Sequence, residues 1–232
     1  SGLFTRGPRG VTLTTAGSTL LDYTREIFRL VSQAELAVTD VSQLSAGAVT
    51  IGATPGVSAY LLPEWVDAFS EAYPNLSVSI QTDTTPNLVA RIISQHLRLA
   101  IVEGELDEDA LASGHAAGVI VTELEEAQQY VVVGRKHPWW ERRELSIADL
   151  DGQPMVTRQR NSQTRIWSDQ VLASRHAQPR ITAEFDNLES IKRAISTRAA
   201  FAILPDYVVR DAEEKGQLRR IVVADCDLRR SL

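Results

Sequence analysis

From Val49 onward the apolar residues of this chain switch repeatedly between two spacings, and that alternation limits the available folds more than any other feature. Val49-Thr50-Ile51-Gly52 has the pattern of a short buried strand. Residues 59–73 carry Leu61, Leu62, Trp65, Val66 and Phe69 at helical spacing, and Pro74-Asn75 ends the run. Residues 76–82 alternate Leu, Val and Ile with Ser and Gln, which is the period of a strand. Residues 86–97 return to helical spacing through Leu88, Val89, Ile92 and Ile93, and residues 99–102 form a third strand pattern. A strand-helix-strand-helix-strand order implies parallel strands with right-handed crossovers. Ligands in such sheets collect at the carboxyl ends of the strands.

A second half repeats the order. Strands are expected at 129–134, 155–157, 181–185 and 201–204, with helices at 162–173 and 188–195. Residues 218–223 are expected to return to the first half as a strand. The fold class that follows is α/β, with two lobes joined by crossing strands. That is the type 2 periplasmic-binding-protein-like architecture, which encloses small molecules in its cleft.

Upstream of the α/β body, residues 15–45 read as one long helix. The stretch lacks proline, Thr14 can cap its start and Gly47 can end it. One heptad series is Leu20, Ile27, Ala34 and Val41; the other is Tyr23, Leu30, Ala37 and Leu44. Offset by three, they make an a/d seam that a single helix cannot bury against itself, so the helix is expected to dimerise. Packing on its own domain is the plainer alternative.

Length and composition are those of an ordinary globular protein: 232 residues, 44% hydrophobic and 23% charged. No apolar run approaches the roughly 18 residues of a membrane span, and the start lacks the apolar core of a signal peptide. One cysteine, Cys226, excludes an internal disulfide and fits a reducing compartment. A net charge of −6 argues against the bulk of the chain gripping phosphates. Arg6 and Arg9, however, sit in an acid-free opening segment, as a contact to a DNA backbone needs.

That opening segment, LFxRxxRGVxLTxAG over residues 3–17, resembles the wing of the winged helix-turn-helix in LysR-type transcriptional regulators. The resemblance extends along the chain through ATPGVSAYLLPEWVDAFSEAYPNLSVSI, LRLAIVEG and FAILPDYVV. ATPGVSAYLLP and VEG are most similar to regulators of carbon-fixation and sulfur-assimilation operons. Two departures stand out: Leu97-Arg98 replaces a usual Val-Asp, and the bulkier residues 196–200 replace the usual glycines. The resemblance implies a wing remnant at 1–13, a linker and dimerisation helix at 14–46, and an effector-binding domain at 47–232. Lobe I would cover about 47–125 and 210–232, and lobe II about 126–209.

Three strand-to-helix turns offer hydroxyls and backbone N–H groups of the kind that bind small acids. They are Thr54-Pro55-Gly56-Val57-Ser58, Thr82-Asp83-Thr84-Thr85 and residues 157–165. Each also reads as a plain capped turn or solvated loop. Gly56 permits close backbone approach, Ser58 can cap its helix, and Arg158 is the best partner for a carboxylate or phosphate. By the resemblance, Thr54, Ser58, Thr84, Thr157 and Ser162 lead the expected effector site, with Glu103, Gly104 and Asn187 behind them.

Other features point away from chemistry. His96, His115, His137 and His176 show no metal-binding spacing, and the acidic run 103–109 lacks a calcium-loop order. Asp225 and Asp227 flank Cys226 and oppose a reactive thiolate. No catalytic constellation, metal site or cofactor motif is present. Trp139-Trp140 reads as a partly buried turn or as a subunit contact. The expected function is a ligand-responsive, DNA-binding transcriptional regulator, with a free-standing solute-binding protein as the alternative and an enzyme disfavoured. The implied partners are DNA through the full-length protein, a small-molecule effector, and further copies as a homodimer or homotetramer. RNA polymerase is a further partner the resemblance allows; a membrane is not expected, and the implied compartment is the cytoplasm.

Overall fold

The computed structural model describes residues 2–7, 10–24, 27, 30–31, 47–106, 108–116 and 118–232. An antiparallel hairpin opens the chain, β1 (Phe4–Gly7) with β2 (Gly10–Leu13), and pairs Arg6 with Val11. Helix α1 follows at residues 15–24, and residues 27, 30 and 31 are also helical. Thr14 caps it as expected, its Oγ1 accepting the Gly17 N–H at 3.0 Å. A Cβ on Gly17 would lie 2.0 Å from the Leu3 carbonyl oxygen, so only glycine lets the hairpin lie on this helix. Leu20, Tyr23, Ile27 and Leu30 all face solvent, Tyr23 at 68% and Ile27 at 59% exposure. The remaining seam residues, Ala34, Ala37, Val41 and Leu44, lie outside the described residues, as does Arg9.

Lobe I holds a parallel three-stranded sheet in the order β4 (Ser77–Thr82), β3 (Ala48–Ala53), β5 (Ala100–Ile101). The helix expected at 59–73 is two helices, α2 (Pro55–Tyr60) and α3 (Leu62–Ala72), broken at Leu61. Pro63 accounts for the break, because it lacks the N–H that would continue the ladder. Helix α4 (Thr85–Ile93) follows β4, and α5 (Glu108–Ala116) follows β5.

Lobe II is built on β6 (Glu126–Gly134), which runs through a seven-stranded sheet. The strand order is β7 (Glu144–Leu145), β11 (Leu218–Val223), β6, β10 (Phe201–Pro205), β8 (Pro154–Arg158) and β9 (Arg180–Phe185). β12 (Arg229–Ser231) pairs with the first residues of β6, opposite Glu126–Gln128. Residues 218–223 therefore do not return to the first half as expected. They stay in lobe II antiparallel to Val131–Gly134, because Leu218, Ile221 and Val223 are buried in its core. Only β12 runs back.

Both faces of this sheet are covered, and strand alternation sorts the side chains. Val131, Val133, Phe201 and Ile203 face one layer; Val132, Ala202 and Leu204 face the other, under α7 (Leu188–Thr197) and α8 (Asp206–Glu214). Trp139, 8% exposed, packs 5.7 Å from Phe201 in the first layer. Trp140 lies between the guanidiniums of Arg135 and Arg219, at 5.6 and 4.8 Å. The tryptophan pair is thus covered by its own chain.

His137 is buried beside Trp139, its Nδ1 accepting the Trp139 N–H at 3.1 Å. Burial lowers its pKa from the ordinary 6.5. The unfolded chain therefore takes up the proton first, and this group's contribution is complete above that value and lost as pH falls. The urea midpoint should drop between pH 7 and pH 5.5, above the carboxylate range, and His137→Asn should flatten that slope.

Candidate functional site

The carboxyl ends of β3, β4 and β8 point at one cleft, and each runs into a helix there. Thr54 stands before α2, Thr84 before α4, and Ser162 before α6 (Gln163–Ser174). None of the three side chains makes the usual capping bond to its own helix. Thr54 turns its hydroxyl to the Glu103 N–H instead, and those of Thr84 and Ser162 are left to the cleft. Asn187 behaves differently: it caps α7 by accepting the Ser190 N–H at 2.8 Å.

A small cavity, about 50 Å³, sits at this junction. Of the residues expected from the sequence, Thr54, Gly56, Thr84, Glu103, Arg158 and Ser162 line it. Thr85, Gln163, Thr164, Leu188 and Pro205 complete most of the wall. Thr157, Ser58 and Asn187 do not line it. Thr157 is buried within β8. Ser58 was expected to cap a helix; α2 starts earlier, at Pro55, so Ser58 falls inside it and bonds Thr82 Oγ1 at 2.8 Å. Asn187 is spent on its cap. Gly56 is tightly enclosed, since a Cβ there would stand 3.1 Å from the Tyr207 hydroxyl and 3.4 Å from Leu188.

Arg158 supplies the charge. Its Nε is buried and has no hydrogen-bond partner among the described residues. Burial pulls its pKa down, and the carboxylates of Asp186 and Glu103 act in the opposite direction. An arginine remains cationic under these conditions. A half-buried cation, the hydroxyls of Thr84 and Ser162 and the N-termini of α4 and α6 together favour an anion.

Glu103 lines the cavity as expected of its place just after β5, and it also ties the lobes together. Its carboxylate is occupied: Oε1 accepts Gln129 Nε2 at 2.8 Å and meets Arg230 Nη1 at 3.1 Å, while Oε2 accepts the Tyr207 hydroxyl at 2.7 Å. Burial and this carboxylate both push the Tyr207 pKa up. Arg230 also donates to Thr164 Oγ1 at 3.1 Å and to the Glu103 carbonyl at 3.2 Å. Gly104, at φ +102°, leaves room for it, since a Cβ would lie 2.1 Å from Nη2. Thr54 Oγ1 accepts the Glu103 N–H at 3.4 Å. Arg230, Gln129 and Tyr207 were not singled out from sequence. Among the described residues no cluster of three or more His, Cys, Asp or Glu could hold a metal. No described helix is long and apolar enough to cross a membrane.

Residues 42–232 match the LysR substrate binding domain family. The chain belongs to the LysR family of transcriptional regulators. Its domain is an effector-binding one, and its relatives are regulators rather than enzymes. A probable RuBisCO transcriptional regulator of Trichormus variabilis is 25% identical over 99% of this chain and 68% of its own length. The regulator CysL of Bacillus subtilis is 24% identical over 90% of this chain and 67% of its own. These agree with the carbon-fixation and sulfur-assimilation regulators that the motifs resemble.

LysR-type folds also match in three dimensions. The Synechocystis CcmR regulatory domain in complex with 2-PG aligns with a TM-score of 0.68 at 19% identity, over 80% of this chain and 85% of that one. The effector-binding domain of QuiR in complex with shikimate gives 0.66 at 16% identity, over 80% and 84%. Full-length OxyR of Pseudomonas aeruginosa gives 0.66 at 19% identity and covers 99% of this chain and 76% of its own.

Removing Arg230 would strand the Glu103 charge. Arg230→Met should destabilise the protein by about 3–5 kcal/mol in urea unfolding, the cost of leaving one partner of a buried pair alone.

Proposed function

We propose that this LysR-family chain senses a small anionic metabolite between its lobes, with Arg158 as the counter-charge. The observation that carries this reading is the buried, unpartnered Nε of Arg158 in a cleft edged by Thr54, Thr84 and Ser162. Thr157 supports the site as a buried neighbour in β8, and Gly56 by keeping the wall close. The solved complexes of CcmR with 2-PG and QuiR with shikimate support a small molecule in a domain of this fold. At about 50 Å³ the cavity holds water or a very small ion, so a metabolite enters by parting the lobes.

Ligand binding biases the angle between the lobes, and α1 carries that change to the DNA-reading part of the full-length regulator. Arg6, exposed on the hairpin, contacts the DNA backbone together with Arg9. Leu20, Tyr23, Ile27 and Leu30, continued by Ala34, Ala37, Val41 and Leu44, form the seam between subunits of a homodimer or homotetramer. The exposure of the first four supports that seam. The regulator works in the cytoplasm and acts on RNA polymerase at its promoter.

A thermal-shift panel of small carboxylates and phosphate monoesters, with 2-PG and shikimate among them, identifies a probe. Calorimetry with that probe should then show Arg158→Ala weakening binding by about 1.5–3 kcal/mol. Thr84→Val should cost about 0.5–1.5 kcal/mol. Equal affinity in both variants and the wild type would overturn the site.

The seam has its own test. Replacing Ile27 and Leu30 together with Asp puts charge into the apolar stripe, and sedimentation should show a shift from dimer toward monomer. A double variant that stays fully dimeric places the subunit contact elsewhere.

A further inference from the structure

Next to the Arg158 cavity lies a ten times larger one, about 500 Å³ against about 50 Å³. Thr85 and Gln163 line both, so the two spaces are neighbours with a common wall. Two helix faces, one from each lobe, make much of its wall, and Glu105, Leu106, Ala110, Arg229 and Arg230 complete it. From lobe I, α4 presents Pro86, Val89, Ala90 and Ile93, which follow an i, i+3, i+4, i+7 stripe. From lobe II, α6 presents Ile166 and Trp167 one turn beyond Gln163. Such stripes normally pack against another element. Here they line open space, and Ile166 is 38% exposed.

The charges around this groove are mostly spent. Arg230 is paired with Glu103, and its guanidinium lies 5.3 Å from the Trp167 ring centroid. Arg229 is paired with Glu126 and Asp227. Among the described residues the remaining charged one in the wall is Glu105, exposed and acidic, which does not favour a second anionic group. The groove therefore offers aliphatic surface and one indole ring, while the adjoining cavity offers the cation. Its volume falls within the roughly 300–1,000 Å³ of ligand pockets.

We infer that the effector is amphiphilic, with one anionic head at Arg158 and an uncharged apolar body, chain or ring, lying between α4 and α6 against Trp167. This rests on the Arg158 reading above and adds the ligand's class to it. Small dianions such as a short sugar-acid phosphate would engage Arg158 and leave the groove unused. An apolar body bridges a helix of lobe I to a helix of lobe II, so its length sets how far the lobes close.

Straight-chain carboxylates from acetate to octanoate test this by calorimetry on the whole chain. Affinity should rise with length, by about fourfold for each methylene that enters the groove, the equivalent of burying one CH₂. Ala90→Phe fills the groove from an exposed helix position and should bring octanoate down to the affinity of butanoate. Arg158→Ala should weaken every member of the series. Ile166→Asp serves in place of Ala90→Phe if circular dichroism shows that variant unfolded. A series that is flat with length yet weakened by Arg158→Ala overturns the groove and leaves the head site standing. Length dependence that survives both groove variants also overturns it. Binding indifferent to Arg158→Ala overturns the head site, and an absence of binding by any acid up to tens of millimolar overturns both.

Discussion

The ion pair of Glu103 and Arg230 lies where the two lobes meet, and much of the cleft is arranged around it. Both side chains are almost fully buried, so their charges need each other and further hydrogen bonds to be tolerated, although the Arg230 Nε and Gln129 Oε1 have no partner among the described residues. Gln129 from the crossing strand and Tyr207 from α8 take up the remaining carboxylate positions, and Thr164 from α6 takes an Arg230 donor. The five groups come from the turn after β5 and from β6, β12, α6 and α8. A change in the seating of any one of these elements would leave a charge or a polar atom stranded. That is how a short strand such as β12 comes to fix the position of the turn after β5, and with it the floor of the cleft.

Beside this neutralised centre stands Arg158, for which no ion pair is formed among the described residues. The contrast is chemical. The Nε of each arginine is buried without a hydrogen-bond partner among the described residues, but the Arg230 charge is met by Glu103 at 3.1 Å. The helix starts nearby follow the same division. Asn187 spends its side chain on its own helix, and Thr54, Thr84 and Ser162 do not. An anion site here needs no dedicated loop. Parallel strands bring helix N-termini to one edge of each sheet, and joining two such sheets sets those edges face to face.

The sequence exposed this framework well where periodicity and turn chemistry decide it. The strand and helix order, the Thr14 cap and the lining residues Thr54, Thr84, Arg158 and Ser162 follow from local pattern. What it hid was long-range. Arg230 stands 127 positions from Glu103, and nothing local tells a buried arginine from the exposed Arg229 beside it. Leu218–Val223 has the same apolar pattern in either lobe, so its partner is set by the register against β6. The Leu61 break required weighing Pro63 against an otherwise uninterrupted apolar face. The groove between α4 and α6 arises from the juxtaposition of two stripes, each of which reads alone as an ordinary packed helix face.

A second contact spans the lobes nearer the surface. Tyr60 on α2 donates to Glu189 on α7 at 2.5 Å, and Lys192 bonds the same carboxylate at 2.8 Å while lying 4.9 Å from the Tyr60 ring centroid. Burial and the bond to Glu189 push the tyrosine pKa up, which keeps it a donor. Of the two interlobe ties, the buried one is costly to break, and this one, with Glu189 exposed to solvent, can exchange its bonds for water. The domain therefore resembles a book whose spine is sewn and whose cover is held by a snap. Exchanging the outer tie for water would leave the buried one in place, so the two lobes could swing about the spine without coming apart there.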